Sequence, residues 1–323
     1  MSEVLEDYAL SKNKKEKQKK GTIQKVGVIG CGTMGQEITR TISKAGIEVT
    51  FIDVDTERVD EIKKNISNQL DEIINKWGLT QGEKRAIMAR IKGSADYKDL
   101  GDCDIIIETI HTKKRGTSLE LRREIFHNVE KYIKEDAIIT SNVSTLNISD
   151  LAEVLQKPER AIGLHFMNPA STVKVVEVAR GNQTNDYSYE MICKFAKMIG
   201  KNVITVNESP GNISTRLIVT LINEACEILM EGVASVKSVD ETMKQGSGLQ
   251  FGPFEMADKI GLDKLLKWME NMFQEFGDKK YKASPVLKRL VRANYLGRKT
   301  QKGFYIYEDD EATDQTLTCT EIK

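Results

Sequence analysis

Short apolar runs alternate with longer amphipathic stretches from residue 23 to about residue 207 of this chain. "IQKVGVIGCGTMG" at 23–35 is an apolar run ending in glycines, which predicts a buried strand feeding a tight turn. "QEITRTISKAG" at 36–46 puts Ile38, Ile42 and Ala45 on one helical face, and "IEVTFIDVD" at 47–55 returns to a strand. Residues 56–90 read as helical throughout, with Ile62, Ile66, Leu70, Ile73, Ile74 and Trp77 on the apolar face. "CDIIIETI" (strand), a helix at roughly 115–135, "DAIITSN" (strand), "ISDLAEVL" (helix) and "RAIGLHF" (strand) continue the alternation, and "VKVVEVA" and "KNVITVN" extend it. Strands that are apolar throughout and alternate with helices predict an α/β fold with a mostly parallel sheet covered on both faces.

The character changes at "SPG", residues 209–211. "ISTRLIVTLINEACEILMEG" predicts a long amphipathic helix, and helical segments dominate until "GFYIYED". The expected division is a basic polar arm at 1–21, an α/β domain at 22–207, an all-helical domain at 208–310 and a tail at 311–323. A length of 323 residues accommodates two such domains, each with its own core.

Composition narrows the function classes. The 48 basic and 48 acidic side chains cancel, so there is no charge footprint for nucleic acid or an anionic membrane. The apolar runs are too short to span a bilayer, and the N-terminus shows no basic region followed by an apolar one. Five cysteines lie scattered, without metal-ligand spacing, and read as reduced thiols of a cytoplasmic protein that holds no metal. "SKNKKEKQKKG" within the arm reads as solvated chain.

The glycine turn carries the first chemistry. Gly30, Gly32 and Gly35, with Thr33 and Met34 between them, form G-x-G-x-x-G between a predicted strand and a predicted helix, and Asp53 ends the next strand. This context is the dinucleotide-binding fingerprint of a Rossmann-like domain. Gly30 makes the turn, Gly32 lets a pyrophosphate approach the backbone, and Gly35 lets helix and strand pack closely. The helix N-terminus then faces the anion. Asp53 accepts ribose hydroxyls and repels a 2′-phosphate, so the expected cofactor is NAD, not NADP.

With that half in place, further stretches in order complete a resemblance: "ITSNVSTLNIS", "GLHFMNPA", "VVEV", "SPGNISTRL", "GPFEMADKIGLD" and "YLGRKTQKGFYIY". From about residue 24 to 308 the chain resembles the L-3-hydroxyacyl-CoA dehydrogenase family, including short-chain 3-hydroxybutyryl-CoA dehydrogenases. The resemblance implies a Rossmann-like domain, a helical dimerisation domain and a homodimer. It implies reversible oxidation of a 3-hydroxyacyl-CoA by NAD, with His165 as base and Glu177 orienting its imidazole. It places Ser144 on the substrate oxygen and Asn168 and Lys299 on the cofactor. Lys76 fits a contact to the coenzyme A phosphates, and equally a solvated helix lysine.

Two stretches depart from the family pattern. Thr215 stands where the family has an asparagine of the catalytic neighbourhood, and Asn212 stands where an aromatic is usual, so Asn212 is a candidate for the substrate carbonyl. The segment "ETIHTKKRGTSLELRR" is longer than its family counterpart. There Thr112 aligns with the family's second glutamate at the nicotinamide ribose and Arg122 with its lysine. His111, Lys113, Lys114 and Arg115 form a basic cluster nearby, suited to an anionic substrate group or to a solvated loop. These departures leave open a same-fold dehydrogenase for another 3-hydroxy acid or a carrier-protein substrate. A non-catalytic NAD-binding protein is the remaining alternative, and the retained His165, Glu177 and Ser144 argue against it.

Overall fold

The computed structural model describes residues 22–111, 118–308 and 311–317. The arm at 1–21, Thr112, Lys113, Lys114, Arg115 and the last six residues lie outside them. The first part of the chain runs β1 (Lys25–Ile29), α1 (Thr33–Lys44), β2 (Glu48–Ile52), α2 (Thr56–Asn75), α3 (Gln81–Ala89), β3 (Ile91–Ser94), β4 (Ile105–Glu108) and α4 (Leu119–Glu130). It continues through β5 (Ile138–Ser141), α5 (Ile148–Ala152), β6 (Ala161–Phe166), β7 (Val175–Arg180), α6 (Asp186–Met198) and β8 (Asn202–Asn207).

The eight strands form one sheet in the order β3-β2-β1-β4-β5-β6-β7-β8. The first six are parallel; β7 reverses against β6, and β8 follows β7. The central strands are runs of Val and Ile because both of their faces are covered. Val28, Ile105 and Ile107 pack into one apolar cluster, with Ile38 and Ile42 of α1, while Ile29, Ile106 and Ile139 pack into another, with Phe126 of α4. The crossover between the two halves of the sheet leaves the glycine turn at the carboxyl ends of the strands, where ligands of such folds bind.

The helical region expected over 56–90 is two helices. Trp77 has φ 59° and is 97% exposed, so it belongs to the turn and not to the apolar face. Thr80 and Glu83 form a reciprocal capping box that starts α3, and this local bonding wins over continued helical periodicity. Strand β3, which follows directly, was not among the expected elements.

The second part contains α7 (Ser214–Glu231), α8 (Val236–Glu241), α9 (Pro253–Ile260), α10 (Leu262–Phe276) and α11 (Pro285–Arg292), then β9 (Tyr305–Glu308) and β10 (Glu311–Thr316). Residues 311–316, expected as tail, pair antiparallel with β9, and Leu317 is buried beyond them. The hairpin is pinned to the helices by two buried carboxylates. Asp258 accepts the amides of Phe304 and Tyr305 and the Tyr307 hydroxyl, and Asp240 accepts the amides of Phe254 and Glu255 and the Tyr305 hydroxyl. Burial pushes the Asp258 carboxyl up to about 7 against those donors, with Asp240 adding to the rise.

Candidate active site

At the end of β1 the chain turns through Gly30 at φ 82°, and a Cβ there would meet the Cα of Ile110 at 2.9 Å. A Cβ on Gly35 would lie 2.5 Å from the Gly30 carbonyl oxygen, so this glycine is what lets α1 pack on the strand. Around Gly32 a Cβ would meet nothing within 4 Å. Gly32 is the N-cap of α1 and supplies no side-chain cap, so the first-turn amides, those of Thr33 and Met34 among them, have no side-chain acceptor from the cap, and the space beside Gly32 is open. That cradle fits a pyrophosphate: it is open, uncapped and dipole-oriented.

Asp53 stands at the end of β2, just beyond the turn. Its Oδ2 accepts the Cys31 amide at 2.8 Å and its Oδ1 the Val54 amide at 2.9 Å. Each oxygen keeps a lone pair for a ribose hydroxyl, and the two amides hold the carboxylate in place before anything binds. Beside it Val54 is 83% exposed, an apolar side chain at the rim of the cradle. An exposed valine next to the acid expected to bind the ribose is suited to cover an adenine face, and nothing in its residue type marks it in the sequence.

The second centre forms where β6 meets the reversed β7. His165 and Glu177 are directly opposed in the antiparallel ladder, and His165 Nδ1 lies 2.8 Å from Glu177 Oε2. Glu177 Oε1 also accepts the Ser214 amide at 2.8 Å, and Oε2 the Ser214 hydroxyl at 3.2 Å. Burial pushes the Glu177 carboxyl up, but the bonds from His165 and Ser214 outweigh it and hold it below the usual carboxylate value. An ionised carboxylate only accepts, so Nδ1 carries a proton, and in the neutral ring Nε2 is the nitrogen with the lone pair. Ser214 comes from the helical part of the chain, so the partners of the acid come from both domains. Its contribution is through a backbone amide, which residue type does not advertise.

Ser144 lies in the loop after β5 and is 4% exposed. Its hydroxyl shares a 2.9 Å hydrogen bond with the hydroxyl of Thr215 in the first turn of α7, and its carbonyl accepts the Gly211 amide at 2.6 Å. Asn271 of α10 donates to the neighbouring Thr145 hydroxyl at 3.0 Å. Thr215 therefore fills the asparagine position with a working partner for Ser144. Asn212 takes a left-handed φ of 44° and lines a small cavity with Ser141, Gly163, Ala179 and Glu208.

Other expected residues are placed differently. Arg122 is 6% exposed and engaged through all three guanidinium nitrogens: it pairs with Glu108, and donates to the Ser118 hydroxyl at 3.0 Å and the Ile110 carbonyl at 2.8 Å. These three donors are directed inward, to groups of the protein itself. Glu108, which the sequence reading left without a role, also accepts the Ser141 hydroxyl at 2.6 Å and the Ile110 amide at 2.5 Å, tying the ends of β4 and β5 together beneath the cradle. Lys299 bonds Asp263 Oδ2 at 2.5 Å at the start of α10. His111, the last described position before Thr112, keeps part of its surface in water; partial desolvation of its ring and the charges of Lys264, Lys267 and Lys299 lower its pKa, with Asp263 opposing them. Asn168 is exposed in the turn after β6, and Lys76 is exposed at the C-terminal cap of α2, about 30 Å along that helix from its start beside Asp53.

No helix among the described residues is long and apolar enough to cross a membrane, and no cluster of metal-ligating side chains occurs among them.

Comparison with known proteins finds relatives over both parts of the chain. The profile of the 3-hydroxyacyl-CoA dehydrogenase NAD binding domain matches residues 25–209, and that of the 3-hydroxyacyl-CoA dehydrogenase C-terminal domain matches residues 211–307. A 3-hydroxybutyryl-CoA dehydrogenase of Bradyrhizobium diazoefficiens is 39% identical over 285 residues, covering 88% of this chain and 96% of that protein. One from Clostridioides difficile is 36% identical over 283 residues, covering 88% of this chain and 99% of its own. The crystal structure of an (S)-3-hydroxybutyryl-CoA dehydrogenase from Ralstonia eutropha superposes with a TM-score of 0.81 at 38% identity, over 89% of this chain and 100% of that one. With both profiles meeting at the boundary between sheet and helices, the chain belongs to the 3-hydroxyacyl-CoA dehydrogenase family.

Proposed function

We propose that this protein catalyses the reversible, NAD-dependent oxidation of a short-chain (S)-3-hydroxyacyl-CoA to the 3-oxoacyl-CoA. The observation that carries the reading is the His165–Glu177 pair near the carboxyl end of β6, the same end of the parallel strands as the glycine cradle, with Glu177 held by Ser214 and Ser144 held by the next residue, Thr215. Bound in that cradle, NAD supplies the hydride acceptor. Gly32 and the uncapped start of α1 hold the pyrophosphate, and Asp53 holds the adenosine ribose and excludes a 2′-phosphate.

The residues then divide the remaining work. His165 Nε2 takes the proton of the 3-hydroxyl as the C–H bond is lost, and returns it in the reverse direction. Glu177 keeps Nδ1 protonated and stabilises the imidazolium that forms. The Ser144 hydroxyl, oriented by Thr215, donates to the substrate oxygen. Asn168 and Lys299 contact the cofactor from the two domains, Asn212 borders the acyl site, and Lys76 is the candidate for the coenzyme A phosphates. Thr215 leaves Ser144 partnered, which favours the family substrate over a different 3-hydroxy acid.

The test is NADH oxidation with acetoacetyl-CoA, run beside free acetoacetate and beside NADPH. Oxidation is expected only with the thioester and NADH. Turnover of free acetoacetate at the same rate would remove coenzyme A from the reading, and equal use of NADPH would remove Asp53 from its role.

We also propose that the protein is a homodimer through its helical domain. On α7 and its flanks Ile213 (47%), Leu217 (65%) and Val233 (69%) expose apolar side chains. Sedimentation equilibrium is expected at twice the chain mass, falling to one chain for Leu217→Lys; a monomeric native protein would contradict it.

A further inference from the structure

Lys201 follows Gly200, whose φ of 71° closes α6, and immediately precedes β8. It is 4% exposed. Lysine is among the residues least often buried, and when it is, its ammonium needs acceptors. Here the acceptors are two backbone carbonyl oxygens, those of Ala170 and Val173, each 2.5 Å from Nζ.

Both carbonyls belong to the turn joining β6 to β7, the strip of chain between His165 and Glu177. The amides of Thr172 and Val173 donate to the Pro169 carbonyl at 3.2 and 3.0 Å, so the turn is partly closed by its own backbone. The Asn202 amide donates to the Lys174 carbonyl at 2.6 Å, which fixes the far end to β8. The carbonyls of Ala170 and Val173 remain, and the one ammonium satisfies both. Asn168, in the same turn, is exposed. Burial and the Lys174 charge hold the Lys201 ammonium below the usual lysine value, with Glu37 opposing them, so this arrangement carries a cost that a simple surface turn does not require.

We infer that Lys201 is a positioning residue for the proton relay: by holding Ala170 and Val173 it fixes the turn that sets Asn168 and His165 against the nicotinamide. The inference rests on the dehydrogenase reading above. It adds to the reaction a residue just ahead of β8, on neither of the strands that carry the base and its acid.

Lys201→Met keeps the side-chain bulk and removes every donor; Lys201→Gln retains a donor amide on a shorter stem. The measurements are kcat and KM for acetoacetyl-CoA, the isotope effect with NADH deuterated at the transferred position, and hydrogen exchange of the 167–174 backbone. Both variants are expected to lose about tenfold or more in kcat with KM little changed. The isotope effect should rise as hydride transfer becomes slower than product release. Exchange of 167–174 should quicken while that of α7 stays as in the native protein.

A purely structural lysine would lower only the fraction of active molecules. In that case the kcat loss would match the loss of titratable NADH sites and the isotope effect would not move, which overturns the inference. Should Lys201→Met fail to fold, the glutamine variant decides by the same criteria. If the native protein does not turn over acetoacetyl-CoA, the functional reading falls; exchange of 167–174 then still decides, and no change in it means that Lys201 does not hold the turn.

Discussion

Replacing His165 by glutamine is expected to lower kcat by about 10²- to 10⁴-fold, because it removes the one group placed to exchange the hydroxyl proton. That corresponds to roughly 3–5 kcal/mol of transition-state stabilisation. Glutamine occupies a similar volume and can still bond Glu177, so the fold should be retained. NADH affinity should stay within about threefold of the native value, since the cofactor is held by the Gly30–Gly35 turn and Asp53. The check is steady-state turnover with acetoacetyl-CoA beside NADH binding by fluorescence. Turnover within tenfold of the native enzyme would mean that another group, or water, moves the proton. Glu177→Gln should also slow turnover with binding retained. An amide can donate to Nδ1 and drive the imidazole into the tautomer whose Nε2 is already protonated.

The largest loss of stability is expected at Arg122. Arg122→Met leaves Glu108, 1% exposed, as a buried carboxylate without its cation. Breaking a buried pair from one side costs about 3–5 kcal/mol, and for a domain of this size that lowers the melting temperature by on the order of 10 °C. Adding Glu108→Gln should recover most of the loss, because no charge then remains buried and the amide oxygen can still accept from Ser141 or Ile110. Thermal melts of the single and double variants check this. A cost below about 1 kcal/mol for Arg122→Met alone would show that water already reaches Glu108. The folded fraction of either variant should bind NADH normally, in contrast to a direct cofactor role for Arg122.

The parts of the site that were legible in the sequence are those whose chemistry resides in residue type and local context. Gly30, Gly32 and Gly35 sit between a strand and a helix, and Asp53 closes the next strand, so spacing alone locates the cradle. His165 and Glu177 lie in apolar runs where a polar residue stands out. What could not be read has definable causes. Helical periodicity marks a face but not a stop, and so carried Trp77 into a helix that ends at Asn75; the Thr80–Glu83 capping box was the available signal. Alignment placed Arg122 on a lysine that meets the cofactor, yet alignment does not report where five donors point. Ser214 acts through its amide and Lys201 through two carbonyls, and neither interaction leaves a trace in side-chain identity. Strand β10 is polar and lies at an edge, so nothing in "EATDQT" separates it from a tail.

The reversal of β7 has a consequence for how this enzyme can vary. Because His165 and Glu177 face each other across one rung of an antiparallel ladder, their separation is set by strand register and not by loop conformation. Side chains alternate faces at every step, so slipping the pair by a single residue would carry Glu177 to the opposite side of the sheet. Insertions between residues 167 and 174 are therefore tolerable only when the extra chain bulges outward and leaves the rungs in phase. His165 and Glu177 form a matched pair, and a mutation that shifts their phase separates them while both residues are still present.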